Sequence, residues 1–135
     1  MILVDTSAWL AIADVRDGNH SAALTCHREL LAGRFGRLIT TDYILDETLT
    51  LMRKRSGGMT ARKFAEGLDA SESVQLIWIT PDHYRTARTV FLDQGTRSWS
   101  LTDCTSFSVM REFGIRTAFS FDFDFRQAGF ETRPA

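Results

Sequence analysis

Four short apolar, β-prone runs, Ile2-Leu3-Val4, Leu38-Ile39-Thr40, Val74 to Ile79 and Thr117 to Phe121, are separated by much longer stretches of helical period. This alternation constrains the fold more than any other property of the chain. Short strands spaced by whole helices cannot close as hairpins, so they pair in parallel through crossover connections, with the helices covering the sheet. The expected class is α/β, with a central, mostly parallel sheet.

Local punctuation places the helices between these runs. Asn19 or Ser21 is positioned to cap a helix running through Cys26 to about Ala32, and Thr60 to cap one through Phe64 and Leu68. Thr80-Pro81 reads as a cap with proline in the first turn. Gly57-Gly58, Gly95 and Gly114 are the expected stops. After Asp122 the pattern predicts a short helix through Gln127, a stop at Gly129 and a last edge strand near Phe130 to Thr132.

At 135 residues and 44% hydrophobic content, the chain supports one core, and residues 1–135 are expected to form a single domain. There is no apolar run long enough for a membrane span and no basic, apolar leader at the start, so the expected location is cytoplasmic. The two cysteines, Cys26 and Cys104, lie far apart without a CxxC or His-rich partner, which argues against structural zinc. Cys104 follows Asp103, but no nearby histidine is available to activate it. The net charge of −1 argues against a protein that coats nucleic acid non-specifically. Arginine nevertheless outnumbers lysine heavily, and Arg53-Lys54-Arg55 with Arg62-Lys63 forms a candidate basic patch suited to phosphate.

Four acids stand where a core residue would be expected. Asp5 closes Ile2-Leu3-Val4, Asp122 follows the run ending at Phe121, Glu47 shares a helical stripe with Ile44 and Leu51, and Asp103 shares one with Phe107 and Met110. The two strand-end acids fall at the carboxyl edge of the sheet, where open α/β folds bind ligands. The two helical acids point inward. Each has a structural explanation alone: Asp5 and Asp122 can cap helices, Asp103 lies in a first turn, and Glu47 can sit at the margin of its stripe. If they converge, their mutual repulsion calls for a cation, and hard oxygen donors favour Mg²⁺ or Mn²⁺.

The segments Asp5-Thr6-Ser7, Tyr43 to Leu49, Ser100 to Phe107 and Phe119 to Phe125, in this order and spacing from Met1 to about Phe130, resemble the PIN-domain family, and more narrowly its VapC-type toxins. The resemblance implies an α/β/α sandwich and a Mg²⁺- or Mn²⁺-dependent ribonuclease. It carries the four acids over as Asp5, Glu47, Asp103 and Asp122, and the small hydroxyl residue as Ser7 or Thr6. The family spacing of acid, two residues, then Phe selects Asp122 with Phe125 and leaves Asp124 as a peripheral acid able to assist. Asp5, Asp103 and Asp122 are then the metal ligands, with Glu47 completing the shell or taking a proton from the attacking water. The resemblance further implies an RNA substrate, a cognate antitoxin and a homodimer.

Competing readings have definite requirements. A metal-free ribonuclease needs paired acid and base groups, usually histidines, and His20, His27 and His83 lie outside the acidic segments. A dehalogenase-type phosphatase needs a second Asp two residues after the first, and position 7 is serine. A housekeeping RNA-processing nuclease and a non-catalytic binding module remain as alternatives on the same scaffold. Trp99, beside Arg97 and ahead of Asp103, is a candidate base-stacking residue or a packing residue.

Overall fold

A computed structural model describes residues Met1–Ala135. Five strands, β1 (Ile2–Val4), β2 (Leu38–Thr41), β3 (Val74–Ile77), β4 (Thr117–Phe119) and β5 (Glu131–Arg133), form one sheet in the order β3-β2-β1-β4-β5. Every adjacent pair is parallel. The three inner strands are buried at every residue, whereas the edge strands β3 and β5 are mostly exposed or half-buried. Strands with no polar face need helices on both sides, which makes the architecture an α/β/α sandwich.

The helices are α1 (Thr6–Ala13), α2 (His20–Leu31), α3 (Asp42–Ser56), α4 (Gly58–Ala70), α5 (Pro81–Leu92), α6 (Leu101–Phe113) and α7 (Phe123–Gln127). Their starts are set by side chains that accept orphan N–H groups: Asp5 for α1, Thr41 for α3, Thr80 for α5, Ser100 for α6 and Asp122 for α7. None is long and apolar enough to cross a membrane.

Three expected boundaries move, each for a visible reason. β3 ends at Ile77 rather than Ile79, whose N–H donates to Asp42 Oδ1 at 2.7 Å. Thr60 does not start a helix: α4 begins at Gly58, and the Thr60 hydroxyl donates to Ser56 O at 3.2 Å. Gly57 alone separates α3 from α4, with φ of 90°, a conformation that glycine adopts without Cβ strain. Asn19 sits at the α2 start without making a side-chain cap. The last β4 residue is Phe119 rather than Phe121, because Phe121 N is taken by the Ser7 hydroxyl at 2.9 Å.

The core is one cluster of 21 buried residues built around the three inner strands. Below the carboxyl edge of the sheet, Phe107 of α6 meets Trp99 and Phe125 edge-on, both at 5.2 Å, and stacks on Phe130 at 5.6 Å. This aromatic group fixes α6 against α7, the helices that carry Asp103 and Asp122. Trp99 is therefore a packing residue. It is 7% exposed, its Nε1 donates to Gln127 Oε1 at 2.9 Å, and the Arg97 guanidinium covers its ring at 4.8 Å.

Phe107→Ala removes the centre of that group, so unfolding by denaturant should show a loss of about 3–5 kcal/mol. A midpoint unchanged from the parent would mean that the aromatic group does not hold α6 and α7 together.

Candidate active site

The strand order reverses its direction of growth at β1, which has β2 on one side and β4 on the other. Such a switch point opens a crevice beyond the strand ends. Val4 lies opposite Phe119, so the next residues of the two strands, Asp5 and Ser120, emerge side by side, and Asp5 N donates to Phe119 O at 3.0 Å.

Asp5 is 4% exposed. Its Oδ2 accepts from Ser7 N at 3.3 Å, Ser7 Oγ at 2.9 Å and Ser120 Oγ at 3.0 Å. Burial pushes its carboxyl up to about 6, against the opposing pull of the Ser7 and Ser120 hydroxyls. Ser7 Oγ also accepts from Phe121 N, and Ser120 Oγ accepts from Asp122 N at 3.0 Å, so two serines lace the β1 end to the segment carrying Asp122. Thr6 also lines the cavity, but its hydroxyl is engaged elsewhere. Its hydroxyl donates to Ile44 O at 3.4 Å and accepts from Thr48 Oγ1 at 3.2 Å, tying α1 to α3. Of the two candidate hydroxyls, Ser7 is the one that touches the acid.

Asp103 is 7% exposed at the third position of α6, where a reciprocal capping box joins its N–H to Ser100 Oγ and its Oδ2 to Ser100 N. Burial raises its carboxyl to about 7, and the charges of Asp5 and Asp122 add to the rise. Asp122 caps α7 by accepting from Asp124 N at 2.9 Å. Asp124 is half-buried, and its carboxyl is raised by burial first and by Asp122 second.

Carboxylate oxygens of Asp103, Asp122 and Asp124 lie within 4.8 Å of one another. Asp124, peripheral by sequence spacing, therefore joins the closest group. Asp5, Glu47, Asp103 and Asp122 line one cavity of about 210 Å³, together with Asp17, Asn19 and Arg55. Glu47 is half-buried on α3, while the deepest positions of that helix are Ile44, Thr48 and Met52. The stripe assigned from sequence, Ile44-Glu47-Leu51, is thus rotated partly out of the core, and Glu47 and Leu51 face the cavity.

Asp17, Asn19, Ser120 and Arg55 were not marked by the four-acid pattern. Ser120 is found only through the β1–β4 register. Asp17 and Asn19 come from the connection between α1 and α2, where Asp14 and Asp17 each accept a backbone N–H two residues on. Arg16 Nη2 donates to Arg55 O at 2.7 Å and fastens that connection to the end of α3.

The donor set fits a hard divalent cation. The cavity offers carboxylates and hydroxyls, and neither cysteine nor histidine lines it. Burial raises the Asp5 and Asp103 carboxyls more than their serine hydrogen bonds lower them, so their negative charge is not fully satisfied by the protein's own donors. Cys104 is buried and its thiol is pushed up to about 11, by burial first and Asp103 second, which removes it as a nucleophile. The histidines are occupied elsewhere: His20 Nδ1 pairs with Ala11 O, His27 packs against Trp9, and His83 joins Thr80 and Glu112.

A carboxyl that holds its proton more tightly in the folded chain stabilises the fold below its unfolded value, and that contribution is lost as pH rises through the folded value. For Asp103 the window runs from about 3.8 to about 7. In the absence of divalent metal, Asp103→Asn should therefore gain thermal stability over the parent as pH is raised from 5 to 8, reaching a few degrees at pH 8. A difference that stays constant across that range, followed by calorimetry in EDTA, would contradict the burial argument.

Comparison with known proteins identifies the family to which this fold belongs. Residues 2–131 match the family model described as PIN domain. The 23S rRNA-specific endonuclease VapC20 of Mycobacterium tuberculosis is 37% identical over 135 residues, spanning 99% of this chain and 99% of that protein. A VapC ribonuclease from Archaeoglobus fulgidus is 31% identical over 115 residues, 84% of this chain and 72% of that protein. The crystal structure of M. tuberculosis VapC20, described as a sarcin–ricin loop cleaving toxin, superposes with a TM-score of 0.86 at 35% identity over 96% of each chain. VapBC2 from Rickettsia felis, bound to promoter DNA, shares the fold at a TM-score of 0.69 and 12% identity over 98% of each chain. The chain belongs to the PIN-domain family.

Proposed function

We propose that this protein is a divalent-metal-dependent endoribonuclease and the toxin of a toxin–antitoxin pair, acting as a single cytoplasmic domain. The observation that carries the reading is the convergence of Asp103, Asp122 and Asp124 within 4.8 Å, beside a cavity that Asp5 and Glu47 also line. The similarity to VapC ribonucleases over nearly the whole chain supports RNA as the substrate, and the likeness to VapC20 makes ribosomal RNA of the large subunit the first candidate.

Asp103 and Asp122 would hold Mg²⁺ or Mn²⁺, with Asp5 and Asp124 completing the carboxylate set. When bound there, the cation supplies charge for the phosphate oxygens and acidifies the attacking water. Glu47, from α3, lines the same cavity and would complete the carboxylate shell or take up a proton there. Ser7 and Ser120 hold Asp5 Oδ2 in place, which fixes the direction of its carboxylate. The inhibiting antitoxin would bring a cation-bearing segment to this acidic cavity, where opposite charge favours docking. The likeness to VapC-type toxins supports a homodimer, and exposed apolar side chains such as Leu76, Phe91 and Leu92 are candidates for its contacts.

Cleavage of a large-subunit rRNA fragment should vanish in Asp5→Asn and Asp103→Asn with the fold retained, and should stop in EDTA and return with Mg²⁺ or Mn²⁺. Residual turnover at the parent's rate in either variant, or indifference to chelation, would sink the mechanism. Expression of the chain without its antitoxin should arrest bacterial growth, and Asp103→Asn should relieve the arrest; continued growth with the active chain would remove the toxin reading.

A further inference from the structure

A second cavity adjoins the carboxylate site and shares Asp122 with it, and its wall includes Ser120, whose hydroxyl donates to Asp5. It has a volume of about 380 Å³, within the range of roughly 300–1,000 Å³ typical of small-ligand sites. Its walls include Phe121, Phe123, Arg126, Thr132 and Pro134. Phe123 is 69% exposed although it immediately follows Asp122. Phe121 is half-buried and anchored edge-on against core residue Phe119 at 6.2 Å, so it forms a fixed wall.

The one cation in this cavity is held in a defined orientation. Arg126 Nε donates to the buried Thr132 Oγ1 at 2.7 Å, and the guanidinium makes no ion pair. The remaining guanidinium N–H groups are therefore available to a ligand in a preset plane. An exposed aromatic ring, a fixed aromatic wall and a planar donor fork form a combination that suits an unstacked nucleobase. Bases stack on aromatic faces and present acceptor edges to arginine, and guanine offers the O6 and N7 pair that matches the fork.

We propose that this cavity is a nucleobase subsite that seats a base next to the cleaved phosphodiester, with Phe123 as the stacking face and Arg126 selecting guanine. The assignment rests on the RNA-cleaving reading of the neighbouring carboxylates. Continuity through Asp122 places the seated base beside the reacting phosphate, so the subsite fixes which bond is presented. Phe123 and Arg126 are positioning residues and take no part in bond breaking.

The test uses a fluorescein-labelled RNA stem–loop with the sarcin–ricin sequence, with each of the four bases placed in turn at the nucleotides flanking the cut. Phe123→Ala should raise KM by about 5- to 150-fold with kcat little changed, and Phe123→Tyr should recover most of the loss. Arg126→Gln should reduce the preference for guanine over adenine by a similar factor. Binding measured by anisotropy in an Asp103→Asn background should weaken in parallel on Phe123→Ala, with no cleavage required. If no RNA is cut by any form yet this binding still depends on Phe123, the nuclease reading falls and the subsite stands. If cleavage proceeds while Phe123→Ala changes neither KM nor binding, the subsite is overturned. It is also overturned if Phe123→Ala leaves RNA kinetics intact and weakens only inhibition by the antitoxin, since the cavity would then be a protein-docking surface.

Discussion

The pairing of β1 with β4 is the constraint on which the site depends. Val4 opposite Phe119 places Asp5 and Ser120 next to each other where the sheet changes direction. From that contact the rest follows through short bonds: Ser120 to Asp5, Ser7 to both, and Phe121 and Asp122 to the two hydroxyls. Because side chains alternate along a strand, a slip of one residue would turn the whole of β4 inside out. Both strands are buried on both faces, so alternation alone does not fix their register. The register is marked by the bonds at the strand ends, Asp5 N to Phe119 O and Ser120 Oγ to Asp5 Oδ2.

Much of this arrangement is legible in the sequence, and what is not has a physical cause. The alternation of short apolar runs with helical stretches predicts four of the five strands near their observed places, and the order of acids predicts the family. The role of Ser120 is invisible because it arises from parallel pairing between segments more than a hundred residues apart. The position of Asp124 is only half legible, for the opposite reason: the sequence marks it as a peripheral acid able to assist, not as a member of the closest group. One turn of α7 folds its carboxylate back toward Asp103, and a spacing rule that picks one aspartate of two carries no information about that turn. At Glu47, the pattern finds the correct helix but rotates the buried face by about one residue, since Thr48 and not Glu47 takes the inner position.

The structural explanation of these acids is compatible with the proposed functional one. Asp5, Asp103 and Asp122 each bond a backbone N–H near a helix start while standing in the same acidic group. Partial positive charge at a helix N-terminus offsets part of the repulsion among neighbouring carboxylates. The cluster is also anchored from below, where Phe107 links Trp99, Phe125 and Phe130. Burial still holds Asp5 and Asp103 above the usual carboxylate range, which shows that the caps reduce the cost of the charges without removing it.

The capping bonds orient the acids independently of any cation. In small zinc domains the ligands are ordered only by the metal, so folding and loading are one event. Here Asp103 is already oriented by Ser100, Asp122 by Asp124 N–H, and Asp5 by two serines. A cation bound here, as proposed above, would meet carboxylates whose directions are already set by the chain's own bonds. It would add stability by binding the folded state, without having to order its ligands first.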